Sequence, residues 1–391
     1  MRILVLSTGF LPAESFGGLP FSTYYLCRGL AQAGADVHVI TTNVNGAARV
    51  DVRADLWSEY KGLPVWYAAT AGGPFLYSPS ASRAIANAMP RVDCVINSGT
   101  LWSHAGLLSW RAAKQHGIPA ITYVRGLLEP TAVRVKRLRK RVYWHLVAKR
   151  ILRDSAAVVA LTERERESIR RFVAGGRIDV IPNGAALEGE AESRDLLDAR
   201  LPELAGRRYV LFLGRIHPVK GIDLLLRSAS ELRRELEDVR FVIAGPIDRT
   251  FAGRWTELVR AHALEDAVVA PGPVKGLLKT TLLAHADVFT LPSYGEGQPV
   301  AALEALLAGC PVVVTRQCNL PEVEEANAGI VIDPDADQLR HALHRILRDD
   351  RGRRDMSSNA RVLARTTFDW RAIGERTLDL CRDVAGSGSR A

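Results

Sequence analysis

Five short runs in the first half of the chain, RILVLST, DVHVITT, DCVINSG, PAITYV and AAVVALT, are apolar almost throughout. A strand without polar alternation has both faces covered, which points to a parallel sheet sandwiched between helices. The segments between the runs supply those helices: FSTYYLCRGLAQAG and HAGLLSWRAAKQHG are amphipathic and end at Gly34 and Gly117. After a polar, turn-rich stretch at 181–206 the rhythm restarts with YVLFLGR, RFVIAGP, AVVAPG, DVFTLPS, PVVVT and GIVIDP. The expected class is α/β, with two doubly wound, Rossmann-like domains at 1–188 and 206–367 and a linker at 189–205. The helical stretch at 368–391 follows without another strand. Length agrees, because 391 residues exceed one ordinary core at about 100 to 200 residues per domain.

Charge narrows the partners only to a class. With 52 basic and 43 acidic side chains the net charge is +9, which favours phosphate esters, nucleic acid or anionic lipid. Cys27, Cys94, Cys310, Cys318 and Cys381 are scattered and lack metal-site spacing, so they read as reduced, buried thiols of a cytoplasmic protein, with no metal expected. MRILVLSTGF lacks a following cleavage site and reads as a buried strand. No apolar run approaches the roughly 20 residues that cross a bilayer, so membrane contact would be peripheral, at the inner face.

The basic run RVKRLRKRVYWHLVAKRILR, 134–153, has two readings that stay open. One is a solvated helix face with Val135, Leu138, Val142, Leu146 and Val147 buried at helical spacing. The other is a helix lying on anionic lipid or holding a phosphorylated acceptor. Nucleic acid ranks last, because aromatics are few and no recognition motif accompanies the charge.

Three glycine-bearing loops follow strands at their carboxyl ends, where open α/β sheets place ligands. PAESFGGL brings Gly17 and Gly18 in front of a helix, where backbone can approach an anion, although a plain βα turn has the same look. Neither G-x-G-x-x-G nor GxxxxGK[ST] occurs, so dinucleotide and P-loop binding are not indicated. In GRIHPVKG, Arg215 and Lys220 converge near one strand end, a pairing suited to a diphosphate and equally explained as two surface cations. In GEGQPVAALEALLAG a helix starts near Pro299, leaving Glu296 in the loop, while Gly297, Gln298, Pro299 and Val300 lead into the helix start with the amides around them facing whatever sits there. Glu304 lies inside that helix among alanines and leucines, where a carboxylate needs a partner or a ligand.

This last stretch resembles the E-x7-E signature of retaining glycosyltransferases of the GT-B fold, in particular the family four enzymes that use nucleotide sugars. Gly17 and Gly18, VIPNG at 180–184, GRIHPVKG, VIAGP, APGPV and GIVIDP match in order along almost the whole chain. The resemblance implies two Rossmann-like domains facing a central cleft, with the terminal helix crossing back onto the first. It implies that Arg215 and Lys220 hold the donor diphosphate, Glu304 the ribose, Glu296 and the following amides the donor sugar. Pro273 and Val274 would line the base pocket, and Gly18 would approach the diphosphate from the other domain. Where many members carry a histidine, this chain reads VRGLLEP, as in a branch acting on cell-surface polysaccharide intermediates. Arg125 is therefore expected near the donor sugar or its leaving phosphate, and Glu129 on the acceptor side.

The implied reaction transfers a sugar from a nucleoside diphosphate sugar, a co-substrate, to a glycan or polyprenyl-phosphate-linked acceptor, with retention and without a cofactor. The catalytic candidates are Glu296, Arg125, Arg215 and Lys220. The rivals are a nucleotide-sugar epimerase of GT-B shape and a catalytically silent binding protein, and the intact cation and glutamate pairs favour the transferase.

Overall fold

A computed structural model describes residues 1–70, 75–128, 137–173 and 175–388. The chain forms two compact units, 1–184 with 370–391, and 185–369. In the first, eight strands form one sheet: β1 (Arg2–Ser7), β2 (Asp36–Thr42), β3 (Trp57–Tyr60), β4 (Leu63–Ala68), β5 (Cys94–Ser98), β6 (Ala120–Tyr123), β7 (Ala157–Ala160) and β8 (Ile178–Val180). Their order is β8-β7-β6-β5-β1-β2-β4-β3, parallel except for the β3/β4 hairpin at one edge. The apolar runs are the central strands, and Ile3, Leu4, Val5, Leu6 and Ile96 have no exposure at all.

The helix α1 (Leu19–Gln32) packs against the helix Trp370–Gly388, which returns to this unit. Contact is backbone to backbone. A Cβ added at Gly29 would lie 2.3 Å from the Trp370 carbonyl oxygen, and one at Gly374 would lie 2.2 Å from the Gly29 carbonyl carbon. Trp370 stacks on Tyr25, and the Tyr123 hydroxyl pairs with the Thr377 hydroxyl at 2.8 Å. The terminal stretch needs no strand of its own because it covers a sheet already built.

In the second unit six parallel strands, β9 (Arg208–Leu213), β10 (Val239–Ala244), β11 (Val268–Gly272), β12 (Val288–Leu291), β13 (Val312–Thr315) and β14 (Gly329–Ile332), run in the order β11-β10-β9-β12-β13-β14. The order reverses between β9 and β12, paired through Val210 with Val288 and Leu211 with Phe289. Loops after these two strands therefore meet although they lie far apart in sequence. Residues 189–205, expected as a linker, belong to this unit and hold the helix Arg194–Arg200, anchored by the buried Leu197 and capped by Ser193.

The basic run departs from its expected register. Residues 134–136 and the Glu129 position lie outside the described residues, as does the chain beyond 388. Val142 and Leu146, buried in one of the two readings of this run, are 55% and 56% exposed. A π-helical turn, Trp144–Ala148, joins the α-helical pieces Arg137–Tyr143 and Lys149–Asp154. Ala148, Ile151 and Leu152 are buried, with Val147 half-buried against the same cluster. All five cysteines are buried thiols. No described helix is long and apolar enough to cross a membrane.

Candidate functional site

The switch point between β9 and β12 gathers the second unit's candidates. After β9 the chain makes a 3-10 turn, Pro218–Lys220, in which the His217 ring accepts from the Val219 amide at 3.1 Å. Burial pushes the His217 pKa down, which favours the neutral ring that can accept this bond. The turn ends at Gly221, with φ +68, where a Cβ would stand 1.9 Å from the Pro292 carbonyl oxygen. The two loops thus touch backbone to backbone, and only glycine fits between them.

That contact sets Lys220 beside Glu296. Its Nζ donates to Glu296 Oε1 at 2.5 Å, and the Ser293 hydroxyl donates to the same oxygen at 2.7 Å. Asn319, itself in the left-handed region at φ +55, donates from Nδ2 to the carbonyls of Glu296 at 2.7 Å and Gly297 at 3.1 Å. The Glu296 amide is held by the Gln317 carbonyl at 3.0 Å. The loop acid is therefore fixed at its side chain, its amide and its carbonyl. Arg215 has a different acidic neighbour, Asp248 at 3.2 Å, and stays more than half exposed.

The helix α2 (Ile222–Glu235) leaves from the Lys220 turn, α3 (Gly276–His285) follows β11, and α4 (Val300–Ala308) follows β12. Pro299 is the N-cap of α4, one residue from the expected start, and no side chain caps the helix. Gln298 is buried just before it. Glu304, 6% exposed on α4, has a protein partner: Lys279 Nζ from α3 donates to its Oε1 at 2.8 Å. Burial raises the Glu304 pKa and the Lys279 ammonium opposes that rise. Pro273, exposed, and Val274, half-buried, sit between β11 and α3.

The remaining candidates belong to the first unit. Gly17, at φ +66, and Gly18, the N-cap of α1, follow β1. Arg125 and Gly126 follow β6 with left-handed backbone at φ +53 and +74. The Arg125 guanidinium donates from Nε to Ser98 Oγ at 2.8 Å and from Nη1 to Ser22 Oγ at 2.9 Å and Asn183 Oδ1 at 2.7 Å. Burial lowers its pKa to about 10. The loop behind it is pinned by the buried Glu165, whose carboxylate accepts from the Gly126 amide at 2.5 Å and the Leu161 amide at 2.6 Å.

Sequence reasoning missed Ser293, Asn319, Lys279 and Glu165. Two of them carried a signal: Lys279 stands in GLLKTTLLAH as Glu304 stands in its own apolar helix, and Asn319 is a residue that tolerates left-handed backbone. Among the described residues no group of three or more His, Cys, Asp or Glu side chains comes together as a metal site.

Comparison with known proteins covers both units. Residues 193–363 match the family described as Glycosyl transferases group 1, and residues 16–188 match Glycosyltransferase Family 4. The chain is 26% identical to a D-inositol 3-phosphate glycosyltransferase of Xylanimonas cellulosilytica, over 97% of this chain and 96% of that one. It is 31% identical to a GDP-mannose-dependent alpha-(1-6)-phosphatidylinositol monomannoside mannosyltransferase of Mycolicibacterium smegmatis, over 60% of this chain and 64% of that one. Among solved structures, HepE of Anabaena in complex with UDP and glucose shares the fold, with a TM-score of 0.76 at 19% identity over 98% of this chain and all of that one.

Proposed function

The chain belongs to the glycosyl transferases group 1, and from that premise we propose that it moves a sugar from a nucleoside diphosphate sugar to an acceptor hydroxyl with retained configuration. The observation that carries the reading is the Lys220–Glu296 contact at the switch point, a cation and a hydrogen-bond acceptor side by side where open sheets bind ligands. Lys220 and Arg215 hold the diphosphate, Glu296 and the amides of residues 297, 298 and 300 the sugar hydroxyls, and Glu304 the ribose. Pro273 and Val274 face the base, and Gly17, Gly18 and Arg125 are the first unit's own candidates. UDP bound to a protein of the same fold supports this choice of donor class.

The bond from the anomeric carbon to the leaving phosphate oxygen breaks while the acceptor oxygen attacks the same face, and its proton passes to that phosphate. Negative charge builds on the diphosphate, where Lys220, Arg215 and the uncapped α4 N-terminus stabilise it without a metal or a cofactor. Thermal shift with UDP, GDP, ADP and TDP, followed by hydrolysis of the matching sugar donors, tests the reading. Glu304→Ala should weaken nucleotide binding about tenfold or more with kcat little changed, whereas Glu296→Ala should lower kcat by a hundredfold or so. Donor isomerised with no acceptor present would instead indicate an epimerase.

The acceptor we infer is a glycan on a polyprenyl phosphate carrier, met at the inner membrane face. Val142 and Leu146 stand exposed one turn apart among the exposed Arg141, His145, Lys149 and Arg150, an apolar pair in a cationic setting suited to an anionic bilayer. A relative named for a phosphatidylinositol monomannoside acceptor supports the lipid class. Replacing Lys149 and Arg150 by glutamine should weaken binding to phosphatidylglycerol vesicles, read by cosedimentation, by about thirtyfold, at about 1 kcal/mol per basic residue. Equal binding by the variant would remove the membrane from the reading.

A further inference from the structure

Glu304 lies in a helix that is otherwise core, with Leu303, Ala305 and Leu306 fully buried beside it. A carboxylate there needs a cation at contact distance. Lys279 provides one from the neighbouring helix, itself only 9% exposed, and so sits where water scarcely reaches. It is separate from the two cations assigned to the diphosphate, which follow β9 rather than β11. Glu188, in the segment that enters the second unit, carries the same sign of charge and adds to the rise of the Glu304 pKa. Its carbonyl accepts from the Thr280 hydroxyl, next to Lys279, at 3.1 Å. The helix Asp350–Thr367 packs on α4 from another side, and its Arg361 donates to the Ala308 carbonyl at the far end of α4.

We propose that Lys279 is a positioning residue for the donor ribose: it holds the Glu304 carboxylate as an anion and, by occupying Oε1, leaves Oε2 for the ribose hydroxyls. The proposal rests on the assignment of Glu304 to the ribose. A carboxylate accepts from two hydroxyls, whereas a carboxylic acid gives part of that capacity to its own proton. Burial already lifts the Glu304 pKa against the pull of Lys279, so removing the ammonium lifts it further. Ribose binding needs the ionised form, which exists above the pKa and is lost below it. Without Lys279, nucleotide affinity therefore falls at neutral pH and returns as the pH rises.

The experiment titrates UDP and GDP calorimetrically into the wild type, Lys279→Met and Lys279→Arg between pH 6 and 9, with inorganic pyrophosphate as a probe that lacks the ribose. Lys279→Met is expected to bind nucleotide about tenfold more weakly at pH 7, with its pH profile displaced upward by about one unit. Pyrophosphate affinity should stay within about twofold of wild type, and Lys279→Arg should recover most of the nucleotide affinity. An unshifted profile, or pyrophosphate binding lost in parallel, overturns the proposal. Glu304→Ala separates the two levels. If it binds UDP and GDP as tightly as the wild type, the ribose assignment is wrong; if it weakens them while Lys279→Met does not, only the role of Lys279 falls.

Discussion

Lys220→Ala is expected to lower kcat/KM for sugar transfer by roughly 100- to 1,000-fold, the usual loss when one preorganised donor to a developing negative charge is removed. The structure adds a reason beyond the missing cation. Glu296 Oε1 receives both the Lys220 ammonium and the Ser293 hydroxyl, and its side chain is only 12% exposed. Removing the ammonium leaves a poorly hydrated carboxylate beside the diphosphate, so attraction is replaced by repulsion. Lys220→Arg should retain part of the activity because the charge survives. The double variant Lys220→Ala/Glu296→Gln should lose much less than the product of the two single losses, because the second change removes the repulsion that the first exposed. Steady-state kinetics on the four proteins decides the matter, and a kcat/KM for Lys220→Ala within threefold of wild type would refute the role.

Gly221→Ala is expected to destabilise the second unit by about 3 kcal/mol and to lower activity with it. Left-handed backbone costs an alanine about 1 kcal/mol. The remainder is steric, since the new Cβ would stand 1.9 Å from the Pro292 carbonyl oxygen and the two loops must part to admit it. Parting them moves Lys220 away from Glu296, which links this stability change to the site. Gly206→Ala is the control. Gly206 has nearly the same φ, +67, and nothing within 4 Å of an added Cβ, so it should show the backbone cost alone. Denaturant unfolding of both variants measures the difference, and equal losses would mean that the loop contact yields without cost.

Much of the candidate site could be read from single stretches. Glu296 and Glu304 stand eight residues apart across a helix start that Pro299 announces, and the helix begins at the next residue with Pro299 as its N-cap. Arg215 and Lys220 flank a turn that ends at a glycine before an amphipathic helix. These are local facts of dihedral preference and spacing. The partners of those residues were hidden, because Lys279 and Glu304 are 25 positions apart and Lys220 and Glu296 are 76 apart. Likewise the partners of the Arg125 guanidinium, Ser98, Ser22 and Asn183, stand 27, 103 and 58 positions away.

The alternation of apolar runs and amphipathic helices by itself determined that the chain builds two sheets with parallel centres, since a strand apolar on both sides needs cover on both faces. Spacing alone likewise placed one acid in a loop and the other in the helix behind it. Only the tertiary structure decided which charges meet. Strand order makes β9 and β12 neighbours and so presses Gly221 against Pro292, and helix packing seats Lys279 on Glu304. Packing also decided which face of the basic stretch is covered, burying Ala148, Ile151 and Leu152 and leaving Val142 and Leu146 exposed. Dihedral preferences and periodicity act over a few residues, whereas pairings between loops and helices depend on how a whole sheet closes its core.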